Sequence, residues 1–122
     1  MTSNELNKIL KANPTLTLHG YEDNLYQHRG YYENINKEQN PMTDKYLHEI
    51  DACISWLGRQ KMLKNTNAKR VTSYELKHHV ETEYKMYIPA GCMIVACIFL
   101  ETPFTREKGS PDVWIPISKK IV

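Results

Sequence analysis

Apolar positions recur at helical spacing in three stretches of the chain, then merge into one nearly unbroken run. Leu6, Ile9 and Leu10 form the first set. They follow Thr2-Ser3-Asn4-Glu5, whose hydroxyl-to-glutamate spacing suits a capping box, and Pro14 closes the segment. Thr15–Leu18 alternates with period two and reads as a short edge strand. Tyr46, Leu47, Ile50, Cys53, Ile54 and Leu57 make the stripe of an amphipathic helix that starts near Pro41-Met42-Thr43-Asp44, with Gly58 as its stop unless Met62 and Leu63 continue the stripe. Thr72-Ser73-Tyr74-Glu75 offers a second capping box. Behind it Leu76, Val80 and Tyr84 form a narrow apolar line, which leaves Lys77, His78, Glu81 and Lys85 to face outward.

The dominant feature is Ile88–Leu100, 13 residues with Pro89 and Gly91 inside it. Its β-branched residues favour strand, but its length and Met93, Ala96 and Leu100 favour helix, so 92–100 is predicted as a buried helix. Pro89 suits its first helical position, where a missing N–H has no intrahelical role. Apolar on every side, this helix should lie at the centre. Lys108-Gly109-Ser110-Pro111 is turn chemistry, and Val113–Ile117 reads as extended, with Pro116 restricting it to an edge strand or arm. The fold class expected is α+β, mainly α: a core of about four helices with a short C-terminal β-strand or hairpin, in a single domain over residues 1–122. Residues 22–40 lack periodicity and read as an irregular arm bearing Tyr26, Tyr31 and Tyr32.

Composition narrows the class without naming a reaction. With 41% apolar and 25% charged residues the chain reads as an ordinary globular protein. The apolar run falls short of the ~20 residues that span a bilayer, and the polar start MTSNELNKIL shows no secretory signal, so no membrane partner and a cytoplasmic location are expected. Cys53, Cys92 and Cys97 sit among apolar neighbours without CxxC spacing, as buried free thiols do. The net charge of +2 demands no polyanion, yet it is unevenly spread. Between Gly58 and His79, six basic residues (Arg59, Lys61, Lys64, Lys69, Arg70, Lys77) oppose Glu75 alone.

Candidate chemistry thins quickly. His48-Glu49 resembles the start of a zinc-protease helix, but Ala52 stands where the second histidine belongs, and His78-His79 point about 100° apart on a helix; no metal and no cofactor are expected. The cysteines lack an accessible setting, Ser55 and Ser73 lack an elbow motif, and no phosphate-binding glycine loop exists. His78 or His79 with Glu75, Glu81 or Glu83 could make an acid–base pair (Glu75 and His79 are at i and i+4), although a solvated pair is the simpler reading. A DNA-binding helix-turn-helix fails, because CMIVACIFL cannot present polar groups to a groove. If nucleic acid binds, the candidates are Arg59, Lys61, Lys64, Lys69, Arg70, Ser73, Tyr74, Lys77 and His78.

The pattern Thr72-Ser73-Tyr74-x-Leu76-Lys77-His78, then Tyr87-Ile88-x-x-Gly91-x-x-Ile94-x-Ala96, resembles small uncharacterised proteins of bacterial phages, plasmids and other mobile elements. Gly109-Ser110-Pro111-Asp112-Val113-Trp114 is similar to their closing segment. The likeness spans 70–118, about two-fifths of the chain; where those proteins tend to have Asn-Gly, this one has Ala90-Gly91. No activity is established for that group, so no functional residue carries over. The resemblance implies a bacterial accessory gene whose product modulates host nucleoprotein machinery. Three expectations result: a non-enzymatic protein contacting nucleic acid or a nucleoprotein complex through the basic 59–78 surface; a protein–protein effector or inhibitor of a host defence complex using Tyr26, Tyr31 and Tyr32; or a small His/Glu-dependent enzyme. Oligomeric state is open.

Overall fold

The computed structural model describes residues 1–22, 41–118 and 120–122. The first helix, α1 (Ser3–Ala12), starts on the expected capping box: Thr2 Oγ1 accepts the Glu5 N–H, and Glu5 Oε1 accepts the Thr2 N–H. A two-residue hairpin follows, β1 (Leu16–Thr17) paired antiparallel with β2 (Gly20–Tyr21). Thr43 then caps a 3-10 turn at Asp44–Tyr46 that leads into α2 (Leu47–Leu57), whose inner face buries Ile50, Cys53, Trp56 and Leu57. The helix ends at Leu57 with Gly58 as its C-cap, so Met62 and Leu63 do not continue the stripe.

Val71–Thr72 form β3, and Thr72 caps α3 (Ser73–Tyr84) through the Glu75 N–H. Chain reversal follows at Lys85, in the left-handed region at φ 53°. The apolar run is helical: α4 spans Ala90–Phe99, and every residue from Ala90 to Cys97 is buried. It packs chiefly against α2 and α3, with α1 and the hairpin covering its remaining sides. This placement accounts for a helix with no polar face, since no side of it from Ala90 to Cys97 meets water. Among the described residues there are thus four α-helices and two small antiparallel sheets, an α+β fold that is mainly α.

One expectation is corrected. The C-terminal strand β5 (Val113–Ile115) is central, not an edge: it pairs with β3 on one side and with β4 (Thr105–Arg106) on the other. Pro116 is compatible with this because it lies just past the ladder. There it needs no N–H, and its carbonyl accepts the Leu63 N–H at 2.7 Å. Val113, Ile115 and Ile117 are fully buried against the helical core, while Trp114 faces away and donates its indole N–H to Glu107 at 2.9 Å.

Candidate functional site

The basic segment divides into an exposed loop and a buried anchor. After α2 the chain runs back along its own C-terminal segment. Ser118 N–H donates to the Lys61 carbonyl at 2.7 Å, Met62 bridges Ile117, and Val71 pairs with Ile115. The loop 62–70 is therefore pinned at both ends to residues 115–118, so Lys61, Lys64, Lys69 and Arg70 share one end of the molecule. Gln60 holds the terminal residues through two bonds with Val122, each 2.9 Å, and so keeps exposed Lys120 beside them.

The charges of that end are unequal in availability. Lys61, Lys64 and Lys120 are exposed, and no carboxylate partner is recorded for them among the described residues. Arg70 donates through Nε to the Ile117 carbonyl at 3.4 Å, a bond that leaves its charge uncompensated. Lys69 is paired with Glu107 at 3.3 Å and Arg59 with Glu83 at 2.6 Å. Both pairs are about half exposed, where such contacts contribute ~0–1 kcal/mol and yield readily to a stronger anion.

Ser73, Tyr74, Lys77 and His78 belong to a different place. Ser73 is fully buried: its hydroxyl donates to Asp112 at 3.2 Å and accepts the Val113 N–H at 3.1 Å. It ties α3 to the strand and is withheld from any phosphate. Lys77, expected to face outward, is 5% exposed, because its stem runs inward and its ammonium meets Glu81 Oε2 at 3.0 Å. Tyr74 and Tyr87 stand around that ammonium, their ring centroids 5.3 Å and 4.7 Å away, and both rings are otherwise exposed. Cation–π attraction of this kind strengthens as the ammonium is desolvated.

A cleft of about 430 Å³ opens at this point, lined by Leu18, His19, Tyr74, Lys77, Tyr87, Ala90, Pro111 and Asp112. Four separated segments build it, each tied to the next. Gly91 N–H donates to Leu18 at 2.8 Å, Tyr21 N–H to Pro111 at 2.9 Å, and Ile88 N–H to Glu81 at 2.9 Å. Gly20 permits one of these approaches: at φ +119° a side chain is strained, and a Cβ would lie 2.2 Å from the Pro111 carbonyl oxygen. Burial raises the Asp112 carboxyl above its ordinary range despite the Ser73 hydrogen bond that opposes this.

The histidines form a second depression. His78 and His79 line a hollow of about 380 Å³ with Trp56, Thr82, Glu83 and the terminal Ile121 and Val122. His79 stacks on Trp56, centroids 5.7 Å apart. His78 pairs with Glu81 at 2.9 Å, one of the His–Glu pairings that the spacing allows. Glu81 is saturated as a connector. Burial would raise its pKa, but the Ile88 N–H, Lys77 and His78 outweigh this and hold the carboxyl below its usual range. A carboxylate so held is poorly suited to donate a proton near neutrality.

The thiols offer no nucleophile. All three cysteines are buried and free, and burial pushes the Cys97 thiol up to about 12 and those of Cys53 and Cys92 in the same direction. Among the described residues no cluster of side chains has the makings of a metal site, and no helix is long and apolar enough to cross a membrane. Tyr26, Tyr31 and Tyr32 lie outside the described residues.

Tyr74 and Lys77 as neighbours were legible from their spacing of three on a helix. Tyr87, His19 and Asp112 were not, since only the docking of the hairpin and of the 110–112 turn brings them to the same cleft. No protein-family model matches the chain, and comparison with curated proteins and with solved structures finds no similar one.

Proposed function

We propose that the protein is a non-enzymatic binding protein that holds a nucleic-acid strand, free or within a nucleoprotein complex, through the loop 61–70. One observation carries this reading: closure of the loop on residues 115–118 gathers Lys61, Lys64 and Arg70 at one end, next to Lys120, with no recorded carboxylate partner for these four among the described residues. Lys69 and Arg59 stand at its margins in weak exposed pairs and can join when phosphates compete for them. Phosphate contacts of this kind set affinity and register without reading sequence. The mobile-element context implied by the resemblance agrees with such a role.

Retention of single-stranded and duplex DNA across a salt series tests the proposal. Engagement of three to four phosphates gives a log–log slope of about −2 to −3 on single strands. Lys61→Glu/Lys64→Glu should weaken binding and make that slope shallower by about 1.4. No retention at low salt, or unchanged affinity in the double variant, rules the loop out.

A further inference from the structure

The cleft beside the basic loop has a property that a merely structural lysine does not need. An ammonium carries three N–H donors. Lys77 gives one to Glu81, and no second acceptor is recorded for it among the described residues, although its side chain is only 6% exposed. The Tyr74 and Tyr87 rings offset part of the cost of burying this charge, and an acceptor entering the cleft would fill the donors that remain. The two rings around it are held open to solvent: Tyr87 is 71% exposed and Tyr74 52%, the latter fixed by an edge-on contact from His78 at 4.8 Å. Exposed aromatic rings at the mouth of a cleft offer planar faces for stacking. The acceptor Asp112 shares the lining, and apolar Leu18, Ala90 and Pro111 complete it.

We infer that this cleft takes one unpaired nucleobase of a bound single strand, stacked against the Tyr74 and Tyr87 rings, with Lys77 donating to a ring carbonyl and Asp112 accepting from a ring N–H. The inference deepens the proposed function and rests on it. Both come within reach of one strand: Arg70 ends the basic loop and Tyr74 opens the cleft, and four residues span at most about 14 Å. A lysine donor and a carboxylate acceptor in one lining suit a lactam edge, carbonyl beside N–H, as in thymine, uracil and guanine. Adenine lacks that edge. Lys77 therefore serves as a base contact from inside the fold, in contrast to the phosphate contacts of Lys61 and Lys64.

The experiment has two arms on the full chain. In the first, fluorescence anisotropy compares oligo-dT with oligo-dA for wild type, Tyr87→Ala and Lys61→Glu/Lys64→Glu. Wild type should prefer oligo-dT. Tyr87→Ala, at an exposed position that leaves the fold intact by its melting curve, should bind oligo-dT about ten- to a hundred-fold more weakly with the salt slope unchanged. In the second arm, thymidine, which has no phosphate for the loop to hold, is titrated against the tyrosine ring NMR signals. It should shift two of them, and adenosine should shift them far less. If oligonucleotides bind through the loop but Tyr87→Ala and base identity change nothing, the base site is refuted while the proposed function stands. If thymidine shifts the rings but no strand is retained at low salt, the phosphate loop is refuted and the strand-binding reading falls with it. If thymidine is silent and N-acetylglycine, a stand-in for a peptide carboxylate, moves the signals, the cleft is a peptide site and the inference is overturned.

Discussion

Gly91→Ala separates local propensity from tertiary packing, because the two give opposite signs. Gly91 sits in the first turn of α4, where alanine would ordinarily favour the helix by up to ~1 kcal/mol. Here a Cβ would meet the Thr17 carbonyl oxygen at 2.0 Å, Leu18 C at 3.1 Å and the Met42 methyl at 3.0 Å. The methionine can swing aside. The two backbone atoms belong to the β1–β2 hairpin and can only retreat with it, and the oxygen must move beyond 3.4 Å to reach ordinary contact. That movement also opens the Gly91 N–H to Leu18 bond, 2.8 Å long, which satisfies one of the orphan donors of the helix start. Overpacking costs ~1–3 kcal/mol and the lost bond ~1 kcal/mol, so after the propensity gain the net loss is ~1–3 kcal/mol. For a chain of this size the melting temperature should fall by roughly 3–15 °C. Circular dichroism melts and urea titration measure this, with an unchanged m-value showing that native compactness persists. Ser55→Ala on the exposed face of α2 supplies the control and should be neutral or slightly stabilising. A Gly91→Ala protein as stable as the native one would refute the close approach of hairpin and helix, and with it the construction of the cleft.

Two further outcomes follow from buried groups. The Glu81 carboxyl is held below its unfolded value near 4.5, so the native state binds fewer protons there than the unfolded chain does. Its stabilisation is present above pH ~4.5 and is lost as pH falls through the depressed folded value. Urea stability followed from pH 7 to 3 should therefore decline less steeply at the acid end in Glu81→Gln than in the native protein; equal slopes would remove Glu81 from its role as connector. The three buried thiols should resist a colorimetric disulfide reagent in the native state and react together on unfolding. Rapid labelling of any one of them under native conditions would contradict its burial.

Much of the helical frame was legible because its signals are local. The capping box at Thr2, the Thr72 side-chain cap, the stop at Gly58 and the length of the 88–100 run depend on residues a few positions apart, and the four helices form there. The Thr72 box is not reciprocal, because Glu75 reaches the Thr72 hydroxyl and not its N–H, and Pro89 stands at the N-cap of α4, one position before its first residue. The end of α3 at Lys85 carried no such mark, since a lysine there adopts the left-handed conformation usually left to glycine. The basic cluster was legible as composition but not as a surface. Helical spacing left Lys77 on the outer face, and only the Tyr74 and Tyr87 rings with the Glu81 carboxylate explain why it turns inward.

What the sequence by itself determined is the set of segments and their caps, because helix and turn free energies are governed by neighbours along the chain. What only the tertiary structure decided is the partner of each segment. Pro116 forbade a ladder bond at one residue, yet whether β5 is flanked on one side or two depended on where β3 and β4 came to rest. Likewise the cleft draws Leu18, Tyr87 and Asp112 from positions that no local pattern relates. Contacts between distant segments are fixed by packing all the apolar faces at once around α4, and that is a property of the whole chain.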